Sequence, residues 1–374
     1  MKTKAAILHE MELPPPYAKS RPLHIEEVEL DPPGEGEILV EIKAAGLCHS
    51  DLSVINGDRP RPTPMALGHE AAGIVRELGP GVTDLANGDH VVMVFVPSCG
   101  HCLPCMEGRP ALCEPGFRAN VAGALLSGAR RLHRNGNAIN HHMGVSAFAQ
   151  YAVVSRHSLI KIDRELPLDE AALFGCAVLT GVGAVVNTAR VPPGATVAVI
   201  GLGGVGLNAL LGAVLAGAQR IVAIDVIDEK LELARQLGAT DTFNAGEADC
   251  ADAVREAAQG GVEYAFEMAG SVKALDLAYR VTRRGGTTVT AGLAHPAHTL
   301  ALQAVSLVAE ERTLKGSYVG SCVPARDVLR FITLYRQGRL PVDRLMSDHI
   351  SFGDLNSAFD RLASGHTVRQ ILMP

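Results

Sequence analysis

The sequence contains no tryptophan and only 4% aromatic residues, so its cores must be built mainly from aliphatic side chains. It lacks any uninterrupted apolar stretch of about 18 residues, and no transmembrane helix is expected. The N-terminus, MKTKAAILHEME, offers only the short apolar run Ala5–Leu8 before His9 and Glu10, which is too brief for the core of a signal peptide. Positive charge is not in excess either. A formal net charge of −6 and a pI near 6.2 argue against a nucleic-acid surface, and the cluster Arg130, Arg131 and Arg134 reads as a solvated loop. No internal repeat or low-complexity segment is visible. These absences point to a cytoplasmic protein with no nucleic-acid or membrane partner. In that compartment the eight cysteines read as reduced thiols available to a metal rather than as a disulfide framework.

What is present has the bulk of two domains. A chain of 374 residues, 47% hydrophobic and 20% charged, exceeds the usual size of one core. Its texture changes near Pro192-Pro193-Gly194. Before that point short runs rich in Val and Ile, at Glu37–Lys43, Ala71–Leu78, His90–Val96 and Phe148–Ser155, are bounded by turn signals such as Pro33-Gly34, Gly79-Pro80 and Asn87-Gly88. Such punctuation suggests a β-rich, barrel-like domain. Beyond it strands alternate with helical patterns: Thr196–Ile200, a helix from Val205, Arg220–Asp225, a helix over Asp228–Leu237, and a further strand at Gly285–Gly292. This alternation predicts a doubly wound parallel α/β sheet. A helix over Asp327–Arg336 and a strand at Arg369–Met373 close the chain, and this stretch is expected to pack back on the first domain.

The strand Thr196–Ile200 runs directly into Gly201-Leu202-Gly203-Gly204-Val205-Gly206 and then an apolar helix. A bare GxGxxG is weak evidence, but here it has the strand before and the helix after that a dinucleotide fingerprint requires. Gly201 permits the tight turn, Gly203 lets the backbone approach a pyrophosphate, and Gly206 lets helix and strand pack closely. Asp225 ends the next strand, where an acidic residue accepts hydrogen bonds from the adenosine ribose and repels a 2′-phosphate. Val226 and Ile227 supply no arginine for such a phosphate. NAD is therefore favoured over NADP; the plainer reading of Asp225 is an N-cap for the following helix.

Half of the cysteines lie within Cys99–Cys113. Cys99, Cys102, Cys105 and Cys113 have the spacing of a closed tetrahedral zinc site with no vacancy for chemistry. His101 sits among them, but four sulfurs already fill a zinc shell, and it reads as an exposed loop residue. A second set is dispersed: Cys48, His69 and Cys176. Singly, each has a dull alternative, since lone cysteines are usually small core residues and lone histidines satisfied polar groups. Spacing alone does not assemble them.

Resemblance does. The chain resembles the zinc-containing medium-chain alcohol dehydrogenase family over essentially its whole length, closest in pattern to the long-loop dimeric liver-type enzymes. The likeness is carried by Gly68-His69-Glu70-Ala71-Ala72-Gly73 with Gly79 and Val82 following, by the four-cysteine lobe, and by the glycine fingerprint with its acidic residue, all in family order. It implies a GroES-like catalytic domain (1–177, resumed at 321–374) around an inserted Rossmann domain (178–320). It implies two zinc ions per chain and NAD. The catalytic zinc would be held by Cys48, His69 and Cys176 with an open fourth place; Glu70 would be a nearby carboxylate, and Asp51 would orient His69. Ser50 would be the first proton carrier. The family's relay then ends in a histidine where this chain has Ser53, so the proton must leave by another route, such as water. Phe95 and Met143 match substrate-pocket positions, with core packing as the alternative. Thr180 matches a nicotinamide-side contact and Arg369 a pyrophosphate-side contact. His49 stands where many members carry a pyrophosphate-gripping arginine. Phe117–Gly144 resembles the long loop of the dimeric enzymes and implies a homodimer, although by composition it could be a disordered loop.

The function this implies is reversible hydride transfer between a small alcohol or carbonyl and NAD. Two alternatives stand beside it. One is a glutathione-dependent formaldehyde dehydrogenase of the same family, kept open by Arg118 and opposed by Arg59, which lies where acidic residues should greet glutathione. The other is a catalytically silent structural relative, opposed by the intact ligand set.

Overall fold

The computed structural model describes residues 1–374 and divides into two compact units. The first comprises Met1–Cys176, Val323–Ile332 and Met346–Pro374; the second comprises Ala177–Cys322 and Thr333–Leu345. The first break falls one residue before the expected one. The return of the chain is more complex than expected, because Thr333–Leu345 belongs to the second unit. That division falls inside the helix Pro324–Arg336, where no turn signal marks it.

The first unit holds two β-structures. One is a closed barrel of Lys2–Leu8, Leu23–Leu30, Leu132–Arg134, Asn137–His141 and Met65–Ala66. Alternation explains its inner face: Ala5, Ile7, Val28 and Leu30 point inward and join Leu39, Leu132, Ile139 and Val153 in one core. Phe117–Gly144 is not a disordered loop. It contributes the end of the helix Glu114–Ala122 and the hairpin Leu132–Arg134/Asn137–His141. That hairpin turns on Asn135-Gly136, both at positive φ (51° and 77°), which is the requirement of a two-residue I′ turn.

The other structure in this unit is a seven-stranded sheet in the order Leu159–Ile162, His90–Met93, Ala71–Leu78, Glu37–Gly46, Arg369–Leu372 and Met346–Ile350, with Tyr151–Ser155 also paired to Glu37–Gly46. The expected strand over His90–Val96 stops at Met93, and that over Phe148–Ser155 begins only at Tyr151. The register decides where the functional ends fall. Ala45 faces Ala71, Gly46 faces Ile371, and Ala71 faces Met93. The chain just after Gly46, just before Ala71 and at the start of Arg369–Leu372 therefore meets at one end of these neighbouring strands.

The second unit is a six-stranded, wholly parallel sheet in the order Asp241–Asn244, Arg220–Asp225, Thr196–Ile200, Val262–Glu267, Thr282–Thr290 and Thr313–Gly316. This 3-2-1-4-5-6 order is the Rossmann arrangement, with its ligand crevice at the carboxyl ends where the order reverses. Thr196–Ile200 lies at that point and is almost wholly buried, as a near-continuous apolar run should be when both faces are covered. The strand expected at Gly285–Gly292 is longer at its start, Thr282–Thr290. The terminal strand Thr313–Gly316 forms an exposed sheet edge. No single helix is long and apolar enough to cross a membrane.

Candidate metal and cofactor sites

Strand ends build the first site. Cys48 is the N-cap of the short helix His49–Ile55, two residues beyond Glu37–Gly46, and His69 lies two residues before Ala71–Leu78. Cys176 follows the turn Leu173–Gly175. Two glycines allow the close approach. A Cβ on Gly46 would lie 2.2 Å from a Glu70 carboxylate oxygen, and one on Gly175 would lie 2.4 Å from the Met93 carbonyl oxygen.

Cys48, His69 and Cys176 are all buried, and their ligand atoms lie within 4.8 Å of one another. His69 Nε2 is buried without a hydrogen-bond partner, an arrangement that is costly unless a cation takes the lone pair. A hydrogen bond with Cys176, together with His69 and Arg369 nearby, holds the Cys48 thiol well below its ordinary pKa against the effect of burial. The same hydrogen bond and burial push Cys176 well up. The donor set is thus two cysteine sulfurs and one imidazole, and a cation binding there would displace the protons they carry. It fits a three-ligand zinc site with a fourth place open.

Asp51 orients His69: its Oδ1 lies 3.1 Å from His69 Nδ1 and accepts the Gly68 amide at 3.1 Å. Burial opposes charge on Asp51, but His69 and His142 hold its carboxyl below the usual range. Glu70 is fully buried beside the set, and burial pushes its pKa up to about 7 despite the Arg369 cation. Arg369 is turned toward Glu70, with Nη1 2.9 Å from Oε1 and Nη2 donating to Oε2 at 3.1 Å, while Nη1 also donates to the Leu47 carbonyl at 3.0 Å. Phe95 packs edge-on to His69 with ring centroids 5.3 Å apart. Met143 is half-buried at φ 51°. Ser50 is half-buried and His49 exposed on the first turn of their helix. Ser53 donates its hydroxyl proton to the His49 carbonyl oxygen at 2.8 Å, which ties it to its own helix.

His142 was not among the sequence candidates. It is fully buried, with Nδ1 3.1 Å from Asp51 Oδ1 and its ring edge-on to His69. The visible signal was the adjacent imidazole pair His141-His142, but nothing in sequence joins it to a carboxylate 91 positions away.

The second metal set is compact as well. The sulfurs of Cys99, Cys102, Cys105 and Cys113 lie within 4.8 Å of one another, and none forms a disulfide. Backbone amides point at the sulfurs: Cys99 N to Cys113 Sγ at 3.1 Å, Cys102 N to Cys99 Sγ at 3.3 Å and Gly116 N to Cys113 Sγ at 3.4 Å. Burial raises Cys102, but amide donors outweigh it and bring its pKa down to about 6; burial pushes Cys105 up to about 12. Four sulfurs with amide donors suit a closed tetrahedral site. His101 is exposed and bonded to the Cys99 carbonyl at 2.8 Å, outside the sulfur cluster.

In the second unit the glycine turn has the shape a dinucleotide needs. Gly201 adopts φ 89°, a Cβ on Gly206 would fall 1.7 Å from the Gly201 carbonyl oxygen, and one on Gly203 would meet nothing within 4 Å. The first two positions thus require glycine for the fold, and Gly203 leaves open space before the helix Gly204–Leu215, whose amide end favours an anion. Asp225 is buried beside this turn and accepts the Leu202 amide at 2.6 Å, the Val226 amide at 2.8 Å and the Ile227 amide at 3.1 Å. Thr180 lies on the helix Ala177–Gly183, which packs against Gly204–Leu215 through Gly181.

Comparison with known proteins agrees with this geometry. Residues 34–164 match the alcohol dehydrogenase GroES-like domain and residues 204–334 the zinc-binding dehydrogenase domain. The chain is 39% identical to putative alcohol dehydrogenase D of Mycobacterium tuberculosis, covering 100% of both chains. It is 38% identical to the NDMA-dependent alcohol dehydrogenase of Amycolatopsis methanolica, covering 100% of this chain and 99% of that one. The crystal structure of benzyl alcohol dehydrogenase from Acinetobacter calcoaceticus superposes with a TM-score of 0.93 at 32% identity, over 100% of this chain and 99% of that one. The chain is thus an oxidoreductase with a GroES-like and a Rossmann-type domain, and it belongs to the zinc-containing medium-chain alcohol dehydrogenase family.

Proposed function

We propose that this protein catalyses reversible, zinc-dependent hydride transfer between a primary or secondary alcohol and NAD. The observation that carries the reading is the buried Cys48–His69–Cys176 set with its orphaned imidazole nitrogen. When bound, zinc supplies a Lewis acid and NAD a hydride acceptor. The chain's own residues do the rest. Asp51 fixes the His69 ring, and Phe95 and Met143 furnish apolar walls. Ser50 offers a hydroxyl to carry the alcohol proton outward. Ser53 does not continue that relay, because its own proton is committed to the His49 carbonyl; water is the terminal acceptor. Gly201, Gly203 and Gly206 shape the pyrophosphate turn, Asp225 takes the ribose, and Thr180, Arg369 and His49 are the remaining proposed cofactor contacts.

Purified protein assayed with NAD against a panel of aliphatic and aromatic alcohols tests the reading. Parallel assays with formaldehyde plus glutathione, and with NDMA in place of NAD, test two others. NDMA is favoured as a second acceptor by the name of the 38% identical relative. Turnover only with glutathione present, or only with NDMA, would displace the proposal in favour of that reading. No turnover with any of them would favour a silent relative.

The position of His49 leads to a kinetic prediction. Arginine holds phosphate in a permanent bidentate fork, whereas histidine titrates near pH 6.5 and gives single contacts. His49→Arg is expected to tighten NADH binding by about 1–2 kcal/mol and to lower kcat for alcohol oxidation where cofactor release limits turnover. Stopped-flow measurement of NADH dissociation checks this; an unchanged off-rate would remove His49 from the cofactor site.

A homodimer is also proposed. Its support is the exposed edge strand Thr313–Gly316 with Val305, Val308 and Leu314 exposed on the same stretch of chain. Bare edges of this kind are normally covered or blunted, and two-fold pairing is the commonest closed solution. Light scattering should give twice the chain mass of 39.3 kDa, and a monomer or tetramer in dilute solution would overturn the assignment.

A further inference from the structure

We propose that His142 is a positioning residue for the metal ligand His69, acting through the carboxylate they share. One Asp51 oxygen, Oδ1, lies 3.1 Å from His69 Nδ1, 3.1 Å from His142 Nδ1 and 3.1 Å from the Gly68 amide nitrogen that donates to it. Asp51 Oδ2 has no partner at all. All three side chains are fully buried. The oxygen that orients His69 thus accepts the Gly68 amide and is also approached by a second imidazole.

The barrel brings His142 there. Met65–Ala66 runs parallel to the end of Asn137–His141, with Ala66 facing His141. The next residues of the two strands enter the site side by side, Leu67-Gly68-His69 on one and His142 on the other. A tight turn clamps His142: its amide donates to Ser146 Oγ at 3.0 Å and to the Ala66 carbonyl at 3.3 Å, and its carbonyl accepts the Val145 amide at 3.0 Å. The side chain thus has a fixed base from which to hold the carboxylate. Neither ring nitrogen makes an aligned hydrogen bond, and Nδ1 meets Asp51 Oδ1 only as a 3.1 Å contact off the N–H line; an apolar residue of similar size would avoid that cost. The gain that offsets it lies at Nδ1. There the imidazole stands against the same Asp51 oxygen that His69 contacts and restrains the carboxylate by that contact. Groups one step behind a metal ligand set its orientation and basicity in this way.

The inference rests on zinc being held by Cys48, His69 and Cys176. Its test measures metal affinity rather than turnover. The catalytic-site metal is removed and replaced by Co(II), whose absorption reports ligand geometry, and zinc affinity is measured by competition with a chelator. His142→Phe fills the same space without a donor, and His142→Asn restores a donor near the Nδ1 position. His142→Phe is expected to weaken site-metal affinity about tenfold and to shift the Co(II) bands, while His142→Asn stays within about threefold of wild type. In a double-mutant cycle with Asp51→Asn the effect of His142→Phe should largely vanish, because the shared carboxylate has already lost its charge. Additive effects in the cycle, equal losses in the Phe and Asn variants, or unchanged affinity in His142→Phe would each overturn the proposal. More than two metal ions per chain would overturn it too, by making His142 a ligand. Cys176→Ala run alongside separates this from the parent reading: if it leaves metal content and Co(II) spectrum as in wild type, the zinc assignment itself has failed.

Discussion

Purified protein is expected to carry two zinc ions per chain, and Cys176→Ala and Cys102→Ala are each expected to lose one, with opposite consequences. Cys176 completes a buried set that is already organised by protein contacts, with His69 fixed by Asp51 and the neighbouring strands paired in register. Removing its sulfur should abolish alcohol oxidation yet leave the unfolding temperature within a few degrees of wild type. Cys102 belongs to a lobe whose regular structure is only the short helix Leu103–Met106 and the turn Pro110–Leu112. Leu103, Met106 and Leu112 are exposed there, so apolar burial contributes little and the metal must organise the lobe. Zinc held at a hundred to a thousand times its Kd stabilises by about 3–4 kcal/mol, which corresponds to a fall on the order of 5–15 °C in Tm for Cys102→Ala. Elemental analysis and thermal unfolding on the same preparations check both arms. Active wild-type enzyme with one zinc or none would sink the two-site reading, and so would Cys176→Ala that keeps both ions.

The legible parts of the sequence were those in which local pattern and tertiary environment agree. Thr196–Ile200 and Arg220–Asp225 have the bounds expected of them, because a parallel strand covered on both faces must be apolar throughout and the glycine turn ends it abruptly. The four-cysteine lobe was legible for a similar reason, since its ligands lie within one short loop. The hairpin around Asn135-Gly136 carries a strong turn signal, but its strands are only three and five residues long and largely polar, so their periodicity is too short to read. The catalytic donor set shows the other limit. Cys48, His69 and Cys176 meet because Ala45 pairs with Ala71 and Ala71 with Met93, and register of that kind is not written in spacing; only resemblance assembled them beforehand. The pairing of Arg369 with Glu70, 299 positions apart, and the convergence of Asp51 with His142 depend on the same register. The functional readings that required long-range pairing came from family likeness, while those contained in one loop or one strand–turn–helix came from chemistry.

Asp225→Gly is expected to shift cofactor preference from NAD toward NADP by about tenfold to a hundredfold, the equivalent of one charge-assisted hydrogen bond of roughly 1.5–3 kcal/mol. The carboxylate has about four acceptor sites, and three backbone amides approach it: Leu202 at 2.6 Å, Val226 at 2.8 Å and Ile227 at 3.1 Å. One site remains for a ribose hydroxyl, so a second hydroxyl must share an oxygen with an amide. Those amide bonds also make Asp225 a brace for the glycine turn, since Leu202 stands between Gly201 and Gly203. The glycine variant therefore confounds two effects, loss of ribose recognition and loosening of the turn, and Asp225→Asn separates them. Asparagine keeps one carbonyl acceptor and the side-chain volume but carries no charge to repel a 2′-phosphate. If repulsion dominates selectivity, Asp225→Asn should gain NADP binding nearly as much as Asp225→Gly, with a smaller fall in Tm. If the hydroxyl hydrogen bond dominates, NAD binding should fall in both variants while NADP binding stays weak. Kd values for both cofactors, measured by fluorescence titration on all three proteins, decide between the two. A wild-type enzyme that already prefers NADP would leave Asp225 only its structural duty toward Leu202, Val226 and Ile227.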